Sequence, residues 1–248
     1  MAMQVSRFTV RFGAKYFKLS RHLQREFGLP SIGPGRWHSG LQCSNHSQRY
    51  FSSDSEAPPC RYQFPERASL PDDIKKVIDE VEEKAGFVPN VFSKLSRRPD
   101  EFRAFFMFEK ALMSKETGNL TKADREMIVV ATSSRNKCLY CIIAHGALLR
   151  IYSKNPVIAD QIAANWRTAD IDDRQRAILS FAMKVCEGEE LEEDDFNLLK
   201  KHGLDEEDAY DIGAITALFA MSNRLANVTM LRPNKEFYLM GRVPKEKK

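Results

Sequence analysis

Glu126-Met-Ile-Val-Val-Ala-Thr-Ser-Ser-Arg-Asn-Lys-Cys138-Leu-Tyr-Cys141-Ile-Ile-Ala-His145 is the stretch on which the reading of this chain turns. It holds a Cys-x-x-Cys pair, a histidine four residues after the second cysteine, and a carboxylate twelve residues before the first. Residues three and four apart share one face of an α-helix, so Cys138, Cys141 and His145 are expected on a single stripe with the thiols within disulfide reach. Glu126 cannot reach them along the same rod, because twelve residues at about 1.5 Å each span roughly 18 Å. It joins them only if the chain breaks and two helices pack side by side. The polar run Ser133-Ser134-Arg135-Asn136-Lys137 is the expected break, with Asn136 or Ser134 suited to cap the second helix.

Outward from this stretch the apolar spacing is helical. Ser69 and Asp72 form a capping-box-like start. Ile74, Val77, Ile78, Val81 and Ala85 recur at helical intervals before Gly86, a stop signal. Phe87-Val88-Pro89-Asn90 reads as a turn. After Pro99 an amphipathic stretch carries Phe102, Phe105, Phe106, Leu112 and Met113; the aromatics read most simply as core, with an aromatic substrate pocket as the alternative. Gly118-Asn119 breaks the chain, and Thr121 with Asp124 opens the helix that carries Glu126. A second helix runs from about Lys137 to Tyr152. Further helices follow from Asn155-Pro156 to about Trp166, over Asp172–Glu187, ahead of His202-Gly203, and over Asp205–Met230. No convincing period-two strand interrupts them, so the fold class is all-α.

The chain has 248 residues, 43% of them apolar, which suits one domain with a substantial core. No apolar run approaches the roughly 18 residues of a membrane span. The net charge of +4 is uneven: residues 1–53 carry eight basic side chains against one acid, Glu26, so the remaining residues are mildly acidic. That balance argues against nucleic-acid binding by the body of the protein. Residues 1–53 are rich in Arg, Ser and aromatics, the composition of a mitochondrial transit peptide without fixed structure, and Gln48-Arg49-Tyr50-Phe51-Ser52-Ser53 resembles a processing site. A basic arm for an acidic partner is the alternative. Residues 54–68, with Pro58, Pro59 and Pro65, form a linker or wrapping arm, 69–242 the helical domain, and 243–248 a basic tail.

A thiol reacts as its thiolate, and a helix N-terminus, nearby cations and a Cys-x-x-Cys partner each lower a cysteine pKa. Cys138 is expected in a first helical turn beside Arg135 and Lys137, with His145 one turn beyond Cys141 to take its proton. Glu126, from the preceding helix, would hold the imidazole in one tautomer. Such a thiolate can attack the terminal oxygen of a peroxide; the sulfenic acid then condenses with the other thiol, and an external dithiol resets the disulfide. Structural zinc needs four ligands, and outside the leader only Cys60, Cys186 and His202 remain as soft candidates, so neither metal nor cofactor is expected. Two inert buried cysteines are the plainer alternative. A thioredoxin-like domain would require strands around the motif.

Glu126-x11-Cys138-x2-Cys141-x3-His145 on a helical scaffold resembles the AhpD-like alkylhydroperoxidases of the carboxymuconolactone decarboxylase superfamily. Gly86-Phe-Val-Pro-Asn-Val-Phe, Leu120–Glu126, Cys138–Gly146 and Ala217–Ala226 are similar to the peroxidase-related branch, and the likeness covers roughly residues 65–242. The resemblance implies that Cys141 becomes the sulfenic acid, that Cys138 is its proton-donating, disulfide-forming partner, and that Glu126 and His145 form a proton relay. Tyr140 departs from the pattern, standing where the peroxidase members carry a second histidine; a phenol of pKa about 10 is a poor proton acceptor. The resemblance also implies an all-helical homo-oligomer, commonly a trimer or hexamer, and reduction in some members by a lipoylated protein.

Three functions follow as expectations. The first is a thiol-dependent hydroperoxide reductase of the mitochondrial matrix that cycles through a Cys138–Cys141 disulfide. The second is a thiol-disulfide oxidoreductase acting on lipoyl or protein thiols. The third is a redox-sensing oligomeric scaffold, which Tyr140 favours. A decarboxylase, suggested by the superfamily name, ranks last.

Overall fold

The computed structural model describes residues 58–115 and 117–242. The expected leader (1–53), the start of the linker and the basic tail lie outside the described residues. Among the described residues every regular element is helical, as the apolar spacing requires, and no helix is long and apolar enough to cross a membrane.

Helix α1 (Asp72–Ala85) buries Ile74 and Ile78 and stops at Gly86, whose φ of 83° is the left-handed value that favours glycine. Its start differs from expectation. Ser69 does not cap it; Pro71 holds the N-cap position, and the Ser69 hydroxyl donates to the Glu66 carbonyl at 2.7 Å, closing a short 3₁₀ turn. Asp72 and Asp73 in the first turn complement the helix dipole instead. The sequence pattern also missed α2 (Asn90–Leu95), too short to show a period. Helix α3 (Pro99–Met113) starts on a proline preset for a first turn and buries Phe102, Leu112 and Met113.

At the centre lies α4 (Lys122–Arg135), buried at every position from Asp124 to Ser133. Its expected capping box is present: the Thr121 hydroxyl oxygen accepts from the Asp124 N–H at 3.1 Å, and Asp124 accepts the Thr121 N–H at 2.9 Å. Around α4 pack α5 (Leu139–Ser153), α6 (Ile158–Asn165), α7 (Asp173–Glu187) and the long α9 (Glu206–Val228). Helices α8 (Glu193–Lys201) and α10 (Glu236–Leu239) complete the set. The main apolar core runs through Ile128, Val129, Ile178, Leu179, Ile212 and Phe219. A smaller cluster gathers Cys60, Cys138, Tyr140, Cys141, Ala226 and Phe237. Cys60 arrives on the proline-rich arm, which behaves as a strap: the Arg61 N–H donates to Thr229 and the Arg232 N–H to Pro59.

The helix break between α4 and α5 is narrower than the polar run suggests. Ser133, Ser134 and Arg135 stay helical, and the turn is made by Asn136, Lys137 and Cys138, with Lys137 at φ 55°. Asn136 closes α4 rather than capping α5, and Ser134 turns away to donate to the Ala163 carbonyl at 2.5 Å. The N-cap of α5 is Cys138 itself.

One buried charge is held by this packing. Arg125, fully buried, donates to the Leu112 carbonyl at 3.0 Å and reaches Asp211 on α9 at 3.4 Å, while Lys115 bonds the same carboxylate at 2.8 Å. Removing one partner of a buried pair strands the other charge. Asp211→Ala is expected to lower unfolding free energy by about 3–5 kcal/mol, read from urea denaturation midpoints.

Candidate active site

The tight turn between α4 and α5 lays the second helix back along the first. That turn brings together all four residues singled out by spacing. The His145 Nδ1 lies 2.7 Å from Glu126 Oε2 across the helix pair. Glu126 is almost wholly buried, and His145 is fixed edge-on against the Phe219 ring at 4.6 Å between centroids. Burial disfavours a charged imidazole. The Glu126 charge and hydrogen bond outweigh it, and the His145 pKa is raised.

Cys138 and Cys141 are both free thiols and both buried. As N-cap, Cys138 accepts the Cys141 backbone N–H at its sulfur, 3.5 Å away. It therefore sits where unpaired amides of the first turn favour negative charge. The Cys141 thiol donates to the same sulfur, and against burial this bond, the amide, the Asn223 side chain and the His145 charge bring the Cys138 pKa down to about 7. Cys141 is pushed up in turn, because its proton is committed to Cys138 and it is buried. The two sulfurs share a proton, so the ionisation near neutrality belongs to the pair.

Access separates them. Cys141 lines an apolar cavity of about 260 Å³, just below the roughly 300–1,000 Å³ range of small-molecule sites. Phe92, Phe105, Phe106, Phe219 and Phe237 stand in its wall, and Glu109, Tyr140, Cys141, His145 and Ser222 supply its polar groups. The α3 aromatics thus serve both readings offered for them: Phe102 is core, whereas Phe105 and Phe106 face the cavity. The Tyr140 oxygen accepts the Val91 N–H at 3.2 Å, and burial pushes its pKa above that of an ordinary phenol. Tyr140 takes no proton in this site.

Spacing around the motif missed three contributors. Ser222 and Asn223, on α9, hydrogen-bond the sulfurs and favour thiolate there. Fully buried Asn223 also donates to the Ser133 hydroxyl and accepts from the Asn136 amide, both at 2.9 Å, so one side chain ties the helix break to the thiols. Two adjacent polar residues inside a mostly apolar helix were the available signal. Glu109 is the third, an acid on the apolar stripe of α3. The remaining soft candidates stand apart from any ligand set: the Cys60 thiol donates to the Thr229 carbonyl at 3.4 Å and Cys186 lies 4.0 Å from the Thr132 carbonyl. Among the described residues no three His, Cys, Asp or Glu side chains converge on a possible metal position.

Comparison with known proteins fits this geometry. Residues 99–182 match the carboxymuconolactone decarboxylase family, a span that carries all four site residues. A solved structure from Ralstonia eutropha JMP134, described as an alkylhydroperoxidase AhpD core and uncharacterized peroxidase-related protein, is 61% identical over 77% of this chain and 100% of its own, with a TM-score of 0.75. The chain belongs to the AhpD-like group of the carboxymuconolactone decarboxylase superfamily. An uncharacterized peroxidase-related protein from Silicibacter sp. TM1040 is 37% identical with the same coverage and a TM-score of 0.71. The debrominase Bmp8 shares the fold at 22% identity, covering 71% of this chain and 93% of its own, with a TM-score of 0.58. No curated protein matches the sequence.

The AhpD-like pair should titrate as one unit. Thiolate absorbance in the ultraviolet is expected to rise with a midpoint at about pH 7. Asn223→Ala should move that midpoint upward, because it removes a donor to the sulfurs.

Proposed function

We propose that the protein is a thiol-dependent peroxidase that reduces hydroperoxides through a Cys138–Cys141 disulfide. One observation carries the reading: Cys141 lines a small apolar cavity beside His145, whose Nδ1 is bonded to Glu126 at 2.7 Å. At rest the Cys141 thiol donates to the Cys138 thiolate; in this scheme that proton passes to Cys138, and Cys141, now the thiolate, attacks the terminal peroxide oxygen. The S–O bond forms as the O–O bond breaks, giving a sulfenic acid and an alcohol. The Cys138 thiol then displaces water from that sulfenic acid, forming the disulfide. A dithiol reduces it and leaves as its own disulfide. His145, oriented by Glu126, exchanges protons with the sulfur pair.

Access separates this from the other readings. Cys138 and Cys141 are 0% and 1% exposed, so a folded protein disulfide cannot reach them without opening the site. A slender dithiol can enter, and we propose a lipoyl arm on a partner protein as the reductant. Decarboxylation of an anionic substrate is poorly served, because the cavity is lined by Glu109 and by neither Lys nor Arg. A homo-oligomer, trimer or hexamer, is supported by the apolar face of α9, where Tyr210, Met221, Leu225 and Val228 stand exposed. Residues 1–53 are proposed to direct the protein to the mitochondrial matrix.

Substoichiometric hydroperoxide should remove two hydrogens from the intact mass of the reduced protein. In Cys138→Ser the reaction should stop at one added oxygen, and Cys141→Ser should consume no peroxide. Consumption that survives Cys141→Ser would sink the assignment of the nucleophile.

A further inference from the structure

On α3 the inward stripe runs Phe102, Phe105, Phe106, Leu112 and Met113, and Glu109 stands in the same register, three residues after Phe106. The Glu109 side chain is half-buried there, and among the described residues it has neither a hydrogen bond nor an ion pair. It lines the cavity together with Cys141 and His145.

The groups around it explain the direction of its pKa. His145 and Tyr152 face it from α5, and Glu126 from α4. The single imidazole is already matched by Glu126 at 2.7 Å, which leaves Glu109 as a second carboxyl with no cation of its own. Burial raises its pKa and outweighs the opposing pull of His145, and the smaller effect of the Glu126 charge adds to the rise. Glu109 thus keeps its proton more firmly than a surface glutamate, on the wall of the cavity that Cys141 lines.

We propose that Glu109 is the general acid of this site, giving its proton to the leaving alkoxide oxygen as the Cys141 thiolate takes the terminal oxygen of an organic hydroperoxide. The inference rests on the peroxidase reading above. The electron pair of the thiolate makes the S–O bond and that of the O–O bond departs on the alkoxide. Sulfur is oxidised to the sulfenic acid, the peroxide is reduced to an alcohol, and Glu109 is left as a carboxylate that solvent reprotonates. An unassisted alkoxide is a poor leaving group in an apolar cavity, which is why an acid is needed at that wall.

Leaving-group dependence tests the role. Single-turnover oxidation of the reduced protein is followed with tert-butyl hydroperoxide, whose alkoxide needs a proton, and with peroxyacetic acid, whose acetate leaves without one. E109Q should slow the first reaction about 100-fold and the second little, with partial recovery in E109D. The wild-type rate with the alkyl hydroperoxide should fall at high pH along a limb that E109Q lacks. Equal slowing with both oxidants would reduce Glu109 to a shaping role and overturn the proposal, as would an unchanged rate in E109Q. Wild-type protein oxidised by neither compound would bring down the peroxidase reading itself, and this inference with it.

Discussion

The contact on which the site depends is the 2.7 Å hydrogen bond between Glu126 and His145. It joins residues nineteen positions apart, which a continuous helical rod would hold roughly 28 Å from one another. It exists because α4 ends at Asn136 and α5 begins again two residues later, with Lys137 in the left-handed region and Cys138 as N-cap. The same turn that brings acid and imidazole together also sets one sulfur at the amide-rich start of α5. Fold and reactivity therefore share one local cause.

The second determinant is the balance between burial and charge. The sulfurs, Glu126 and Asn223 are all nearly inaccessible, so every charge placed there needs a partner. The thiolate finds its donors in the Cys141 thiol and amide, Asn223 and Ser222. The imidazole finds Glu126. Away from the site the same rule governs Arg125 and Asp211, a buried pair joining α4 to α9. A largely apolar cavity of about 260 Å³, with Phe92, Phe105, Phe106, Phe219 and Phe237 in its wall, lies against Cys141 and His145.

Much of this was legible before the structure. Helical periodicity marked the long elements, and the spacing of Glu126, Cys138, Cys141 and His145 was enough to bring them together once a break was assumed. Helix starts were less legible. Ser69 and Asp72 carry the letters of a capping box, yet Pro71 intervenes and takes the N-cap position, and a cysteine caps α5 where Asn136 or Ser134 was the better candidate by propensity. Tertiary contacts decided both: Asn136 is held by Asn223, and Ser134 by the Ala163 carbonyl. Glu109, Ser222 and Asn223 were visible as polar residues out of place in apolar patterns. Their meaning came only from α3 and α9 folding onto the motif, contacts of long sequence separation that no local spacing encodes.

The central claim is that this pocket turns a cysteine pair into a peroxide-reactive centre. The most direct measurement is the second-order rate constant for oxidation of the reduced protein by an alkyl hydroperoxide, set against that of free cysteine thiolate under the same conditions. The account predicts oxidation of the protein thiol faster by orders of magnitude; a rate equal to that of the free thiolate would contradict it.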